Sequence, residues 1–382
     1  MIKRTVLATT TALAMAAALP GPVQAKELRI ALGLPDIYAA YESLVNFAAT
    51  LESDVGLPAK VYAMSLLTLA ETSGGLRDGL ADIGFVVFPY HPVEFSEVNL
   101  VANLSMLSST GDVPEVPGAA MTGAAMEYTL LNCPECLTQM KANNQVYLTG
   151  TSSTPYRLLC SQAITTAADV SGKRFRAGAA NYARWVDALG GSALTVPGNE
   201  TYDAMSQGIV DCTMSNLGDL TGGRFIDVTT HITMGAPGGT FIGLGAANVN
   251  LDVWRSLSTE QRAGMLKAAT RLSAESVLAY HKEDLVGEAA AIEKGVEFIE
   301  GDESLLQATA DFVTSDFATI SEQFTNQFRV QNVDDKIATF VALVDKWKGL
   351  AGDIGPGDED RLEELYWSEI VSKVDPATHG VD

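Results

Sequence analysis

One long uninterrupted helical pattern limits what this chain can fold into. It starts at Ser258, where Ser258-Thr-Glu-Gln261 is a capping-box signature. Ala263, Leu266, Ala269, Leu272, Val277 and Leu278 follow at helical spacing. No proline interrupts the run, which is expected to pass Gly287 and end near Lys294. At 1.5 Å per residue, a helix of about 37 residues spans roughly 55 Å. That exceeds one small domain, so the helix is expected to run along two.

Upstream, the pattern is that of two α/β units. Residues 27–32 alternate as a strand. Pro35-Asp36 then opens a helix whose Tyr38, Tyr41, Leu44, Val45 and Phe47 form one apolar face. Residues 60–64 read as a strand, 67–80 as a helix broken at Gly74-Gly75, and 82–88 as a buried strand. This β-α-β-α-β order implies a largely parallel sheet. Its last exit, Val86-Val87-Phe88-Pro89-Tyr90, falls where open α/β sheets hold ligands, beyond the carboxyl ends of their strands. For Phe88 and Tyr90, core packing is the competing reading.

Residues 114–144 are helical with breaks, and 145–150 form a strand that leads toward a second unit at Thr151. In that unit, strands at 156–160, before Arg176, at 193–196 and at 210–214 accompany helices at 180–190 and 199–208. Residues 240–250 read as one long strand returning to the first unit, and 302–375 as helices packed on the second. The expected domains are 26–150 with about 243–281, and 151–242 with about 282–382.

Two arginines stand out in the second unit. Arg157 lies in the strand 156–160, and Arg176 ends the run after the turn Ser171-Gly172. A guanidinium presents parallel N–H donors that match the two oxygens of a carboxylate. Around these arginines stand Gly172-Lys-Arg-Phe-Arg176, a helix end Leu189-Gly-Gly191, Val196-Pro197, and Tyr202-x-Ala-x-x-x-Gly208-x-Val-Asp211, with Asn216 five residues on. This order resembles the periplasmic solute receptors of TRAP transporters, the DctP-type family. The resemblance is densest over 151–216 and extends to Gly79-Leu-Ala-Asp-Ile-Gly84 and to Asn250-Leu-Asp-Val-Trp254.

The resemblance implies a two-domain α/β periplasmic binding protein fold, with a cleft between the domains and a long helix spanning both. It also implies that Arg176 holds an organic acid's carboxylate, with Arg157 and Asn216 lining the same pocket. Ser215, Tyr156, Thr154 and Phe88 complete the candidate site. Relatives often read Val-Asp-Gly with a polar or acidic residue before the Asn. Here the run is Val210-Asp-Cys-Thr-Met-Ser-Asn216, which leaves the rest of the ligand open.

The first 25 residues carry an export signal pattern: basic Lys3 and Arg4, an apolar stretch from Val6 to Leu19, and the small-residue end Val23-Gln24-Ala25. Cleavage is expected after Ala25. The chain has a formal net charge of −22, which argues against nucleic-acid or anionic-membrane partners. A pair of arginines in a closed cleft still attracts an anion, because screening confines the global field to about 8–10 Å.

Cys133, Cys136, Cys160 and Cys212 allow three disulfide connectivities in an exported chain. Structural bridges or buried thiols are expected, and Cys133–Cys136 with Cys160–Cys212 is the preferred pairing. The four histidines are isolated, and no metal, P-loop, nucleophile-elbow or complete dinucleotide motif occurs. The expected function is a receptor without cofactors that closes on a small organic acid and delivers it to a TRAP membrane permease. The expected ligand is C4-dicarboxylate-like, a 2-oxo or hydroxy acid, or a sugar acid. The alternatives are a periplasmic enzyme or thiol-redox protein using Cys133 and Cys136, or the receptor of an ATP-driven importer.

Overall fold

Two mixed sheets divide the chain. The computed structural model describes residues 26–381; the expected signal segment, 1–25, lies outside them. The first sheet holds β1 (Leu28–Leu32), β2 (Ala59–Ala63), β3 (Ile83–Val87), β4 (Gln145–Thr151) and β10 (Leu244–Asn250), in the order β2-β1-β3-β10-β4. The second holds β5 (Pro155–Cys160), β6 (Arg174–Ala177), β7 (Ser192–Thr195), β8 (Cys212–Ser215), β9 (His231–Thr240) and β11 (Glu297–Glu300), in the order β11-β9-β5-β8-β6-β7.

Strands β1, β2 and β3 are parallel, as their helical crossovers require. Strand β10 runs antiparallel to both β3 and β4. Every residue of β3, Ile-Gly-Phe-Val-Val, is buried, which fits a strand covered on both faces.

The chain passes from one sheet to the other along 152–154 and returns along 241–243. These segments are tied together: Ser153 N–H donates to the Phe241 carbonyl (3.1 Å), and Phe241 N–H donates to Ser153 Oγ (2.9 Å). The crossing corrects one expectation, since 240–250 is not a single strand. Its first residue ends β9, a strand of the second sheet, and the ladder resumes only at Leu244. Gly243 has φ +83°, a conformation that suits glycine and lets the chain change sheets.

The helix Thr259–Lys294 has 36 residues, a length of about 54 Å at 1.5 Å per residue. Its capping box is present, with Gln261 N–H donating to Ser258 Oγ (3.2 Å) and Ser258 N–H to Gln261 Oε1 (3.0 Å). The helix joins both units. Ser273 Oγ donates to the Gly150 carbonyl (2.6 Å) at the first, and Asp284 accepts from Gly218 N–H (2.9 Å) at the second. Gly287 does not break it. A Cβ there would collide with the Leu217 carbonyl, so glycine allows the second unit's loop to lie directly on the helix.

The C-terminal helices also depart from expectation. Glu303–Asn326 does pack on the second unit, where Arg184 pairs with Asp316 (2.7 Å) and Trp185 Nε1 donates to Thr309 (3.1 Å). The next two helices, Val333–Leu350 and Glu359–Glu369, cover the first unit instead. Trp347 Nε1 donates to Glu127 (2.7 Å), Lys336 pairs with Glu97 (2.7 Å), and Tyr366 OH donates to the Ala119 carbonyl (2.8 Å). The cause is the helix Pro117–Glu127, PGAAMTGAAME, which is apolar and small-residued all round and needs cover on more than one side.

The disulfides are Cys133–Cys136 and Cys160–Cys212, the latter joining paired residues of β5 and β8. All four cysteines are at most 1% exposed, so no sulfur is open to an attacking thiolate. A bridge stabilises more when it closes a longer loop. Replacing Cys160 and Cys212, 52 positions apart, by alanine is expected to cost about 2–4 kcal/mol in urea unfolding. The same change at Cys133 and Cys136, three positions apart, is expected to cost less. Equal losses would contradict this ranking.

Candidate functional site

A cavity of about 70 Å³ lies between the sheets. A buried water needs roughly 10–15 Å³ in this measure, so the space suits a small molecule. It sits beyond the carboxyl ends of β3, β6 and β8, where α/β sheets place ligands. Leu34, Leu69, Phe85, Val87 and Leu244 line it from the first unit, and Phe225 and Phe241 add apolar surface.

Arg176 enters from β6. Its neighbour Phe175 meets Trp185 edge-on (6.5 Å), and strand alternation sends Arg176 to the opposite face. Arg176 is only 3% exposed. Its Nε donates to the Val196 carbonyl (2.8 Å), which fixes the plane of the guanidinium. Its Nη2 donates to Tyr90 OH (3.3 Å). Among the described residues, no carboxylate approaches Arg176 within 4.0 Å. Taking a charge out of water costs several kcal/mol, and an excellent partner is needed to offset it. Here the guanidinium lines the cavity.

Tyr90 comes from the first unit, in the turn Phe88–Tyr90 after β3. Its hydroxyl accepts from Arg176 and from Gly198 N–H (2.9 Å), both of the second unit. One phenol therefore bridges the cleft at the arginine.

A second polar group gathers around Asp219. The Ser215 hydroxyl donates to its carboxylate, and Tyr38 and Tyr280 lie beside it. Burial, with Asp284 nearby, pushes the Asp219 carboxyl up to about 6, against the pull of Ser215, Arg176 and Tyr38. Burial raises the Tyr38 and Tyr280 phenols as well. Asn216 Oδ1 accepts from Asp219 N–H (3.0 Å), an Asx-type turn that starts the short helix Asp219–Gly222.

Of the residues singled out from sequence, Arg176, Asn216, Ser215 and Tyr156 line the cavity. Tyr156 stacks on Tyr182 (5.0 Å) and Phe241 (5.8 Å). Phe88, Thr154 and Arg157 are not in the lining. Alternation explains two of these. Phe85 and Val87 face the cavity, so Phe88 turns into the core against Phe95 (4.9 Å). Tyr156 faces the cavity, so Arg157 projects the other way, toward Asp284 and Glu288 of the long helix. There its Nη1 donates to the Pro155 carbonyl (2.5 Å), and burial lowers its pKa. Thr154 lies beside Asp284.

Asp219, Tyr38 and Tyr280 were not singled out. Tyr38 reads as part of a helix's apolar face, and the pattern marks neither Tyr280 nor Asp219. The one available signal was Asn216-Leu-Gly-Asp219, an Asn placed to cap the turn that begins with the acid. Among the described residues, no group of three or more His, Cys, Asp or Glu is arranged to hold a metal ion. No helix among them is long and apolar enough to cross a membrane.

The profile of the bacterial extracellular solute-binding proteins, family 7 (DctP), matches residues 104–323. No curated protein sequence matches the chain significantly. Several solved structures share the fold. One is a marine metagenome TRAP solute binding protein from an unidentified microbe, specific for aromatic acid ligands and crystallised with 3-hydroxybenzoate. It has TM-score 0.72 and 16% identity over 85% of this chain and 99% of that one. A Bordetella pertussis extracytoplasmic solute receptor binding pyroglutamic acid has TM-score 0.68 and 15% identity, over 84% and 100% of the two chains. A TRAP periplasmic solute binding protein from Rhodoferax ferrireducens with bound malonate has TM-score 0.68 and 17% identity, over 85% and 99%.

The raised Asp219 pKa has a signed consequence. Its stabilising share is full below the ordinary carboxyl value of 3.8 and is lost as pH rises through about 6. Asp219→Asn does not titrate. In urea unfolding of the ligand-free protein, the variant is therefore expected to gain on wild type by up to about 3 kcal/mol as pH rises across that window. Parallel pH profiles would contradict the assignment.

Proposed function

The chain belongs to family 7 of the bacterial extracellular solute-binding proteins, and from that premise we propose that it is the periplasmic receptor of a TRAP transporter. It closes on one small organic carboxylate and hands it to the membrane permease. The observation that carries this reading is Arg176, a buried guanidinium lining the cavity between the sheets with no carboxylate of its own. The Val196 carbonyl occupies Nε, which leaves the two Nη groups to fork a carboxylate. The fold relatives fit the reading, since 3-hydroxybenzoate, pyroglutamic acid and malonate are all carboxylates.

Closure is a hinge motion about the crossings 152–154 and 241–243, with the long helix bridging the units. The Tyr90 hydroxyl latches the closed state, because its two donors sit on the opposite unit. Asn216 and Ser215 orient the polar part of the ligand, while Arg157 and Thr154 brace their loop from behind. No bond is made or broken. The thiol-redox alternative finds its sulfurs oxidised and buried.

Thermal shift with a panel of organic acids is expected to give at least one stabilising ligand, worth about 2.7 kcal/mol at 100 times its Kd. Shifts only with neutral sugars or amines would overturn the reading. With that ligand in a calorimeter, Arg176→Ala is expected to weaken binding by about 2–5 kcal/mol, roughly 30- to several-thousand-fold. Arg176→Lys keeps the charge but not the fork and is expected to fall in between. Near-wild-type affinity in folded Arg176→Ala would place the carboxylate elsewhere.

A further inference from the structure

The cavity's two charged groups do not neutralise each other. Arg176 and Asp219 both line it, yet they make no ion pair within 4.0 Å. The rest of the lining is mostly apolar and aromatic, with Phe85, Phe225, Phe241, Tyr156, Leu69 and Leu244. The site therefore combines an apolar, aromatic lining with a cation and a separate acceptor.

We propose that the ligand is a monocarboxylate with a ring-sized apolar body carrying a hydrogen-bond donor away from its carboxylate, and that Asp219 selects for that donor. This rests on the carboxylate-receptor reading and narrows it. A carboxylate has lone pairs for about four donors. The Ser215 hydroxyl takes one position and the Tyr38 phenol lies at another, which leaves acceptor capacity toward the cavity. A ligand hydroxyl or N–H satisfies it. A ligand without one leaves a half-buried acid without a donor, and sites built to bond a donor reject the analogue lacking it far more sharply than apolar pockets reject a size change.

The same groups work against dicarboxylates. A second carboxylate brought near Asp219 meets its negative charge, and Asp284 of the long helix adds to it. Like charge is a repulsive element of specificity. The other groups facing Asp219 are Ser215 and Asn216 on its own segment, Tyr38 from the first unit, and Tyr280 from the long helix. None of these is a cation. Arg176 is the cation that acts on Asp219, and a bound ligand's carboxylate would engage it.

The test is calorimetry at neutral pH on matched probes: 3- and 4-hydroxybenzoate against benzoate, 4-hydroxyphenylacetate against phenylacetate, and succinate as a dicarboxylate. The donor-bearing member of a pair is expected to bind roughly tenfold tighter or better, which corresponds to about 1.4 kcal/mol, with succinate weakest. Asp219→Ala is expected to shrink the ratio within a pair to about threefold or less, whereas Arg176→Ala weakens both members alike. Equal or tighter binding of the donor-free member in every pair that binds overturns the proposal, as does succinate binding tightest. An unchanged ratio in folded Asp219→Ala does the same. If Asp219→Ala does not fold, the wild-type ratios decide. If acids bind and Arg176→Ala weakens them while the ratios stay flat, this inference alone fails. If none of the acids binds, the carboxylate reading fails and takes this inference with it.

Discussion

A guanidinium buried without a carboxylate is the constraint from which the site follows. Arg176 is held by one carbonyl and one phenol, neither of them charged. A protein that buries a cation this way leaves part of its desolvation cost to be offset by something else. The two units supply the enclosure. The second sheet presents the arginine at the end of β6, and the first contributes Tyr90 and much of the apolar wall. The long helix fixes the scale on which they move, because it touches Gly150 on one side and Gly218 on the other.

Backbone chemistry explains why the crossings and the latch sit where they do. Segments 152–154 and 241–243 are bonded to each other, so the two connections form one joined crossing. The proposed latch is a different contact, between Tyr90 and Gly198 in the lining of the cavity. A ligand's carboxylate at Arg176 would stand beside the same phenol, so binding and closure share one contact.

Much of the fold was legible because its signals are local. The capping box at Ser258, the β-α-β-α-β order and the glycine stops need no tertiary knowledge. Arg176 was legible through the stretch around Gly172, and Ser215 and Asn216 through their place after Val210-Asp211. The departures from expectation have separate causes. Phe88 and Arg157 are strand neighbours of cavity-facing residues, and the sequence does not say which face of a strand is inward until its partners are known. Strand β9 was hidden in a glycine-rich run, and the C-terminal helices went to the unit whose apolar helix most needed cover. Asp219 was invisible because its importance comes from burial beside Tyr38 and Tyr280, which are distant in sequence.

The most direct test is a crystal structure of the protein bound to the acid that stabilises it best. The expected result is a carboxylate forked by Nη1 and Nη2 of Arg176 in the cavity between the sheets, with Tyr90 still joined to Gly198. A ligand whose carboxylate is bound away from Arg176, or whose contacts with Arg176 are not through a carboxylate, would contradict the account.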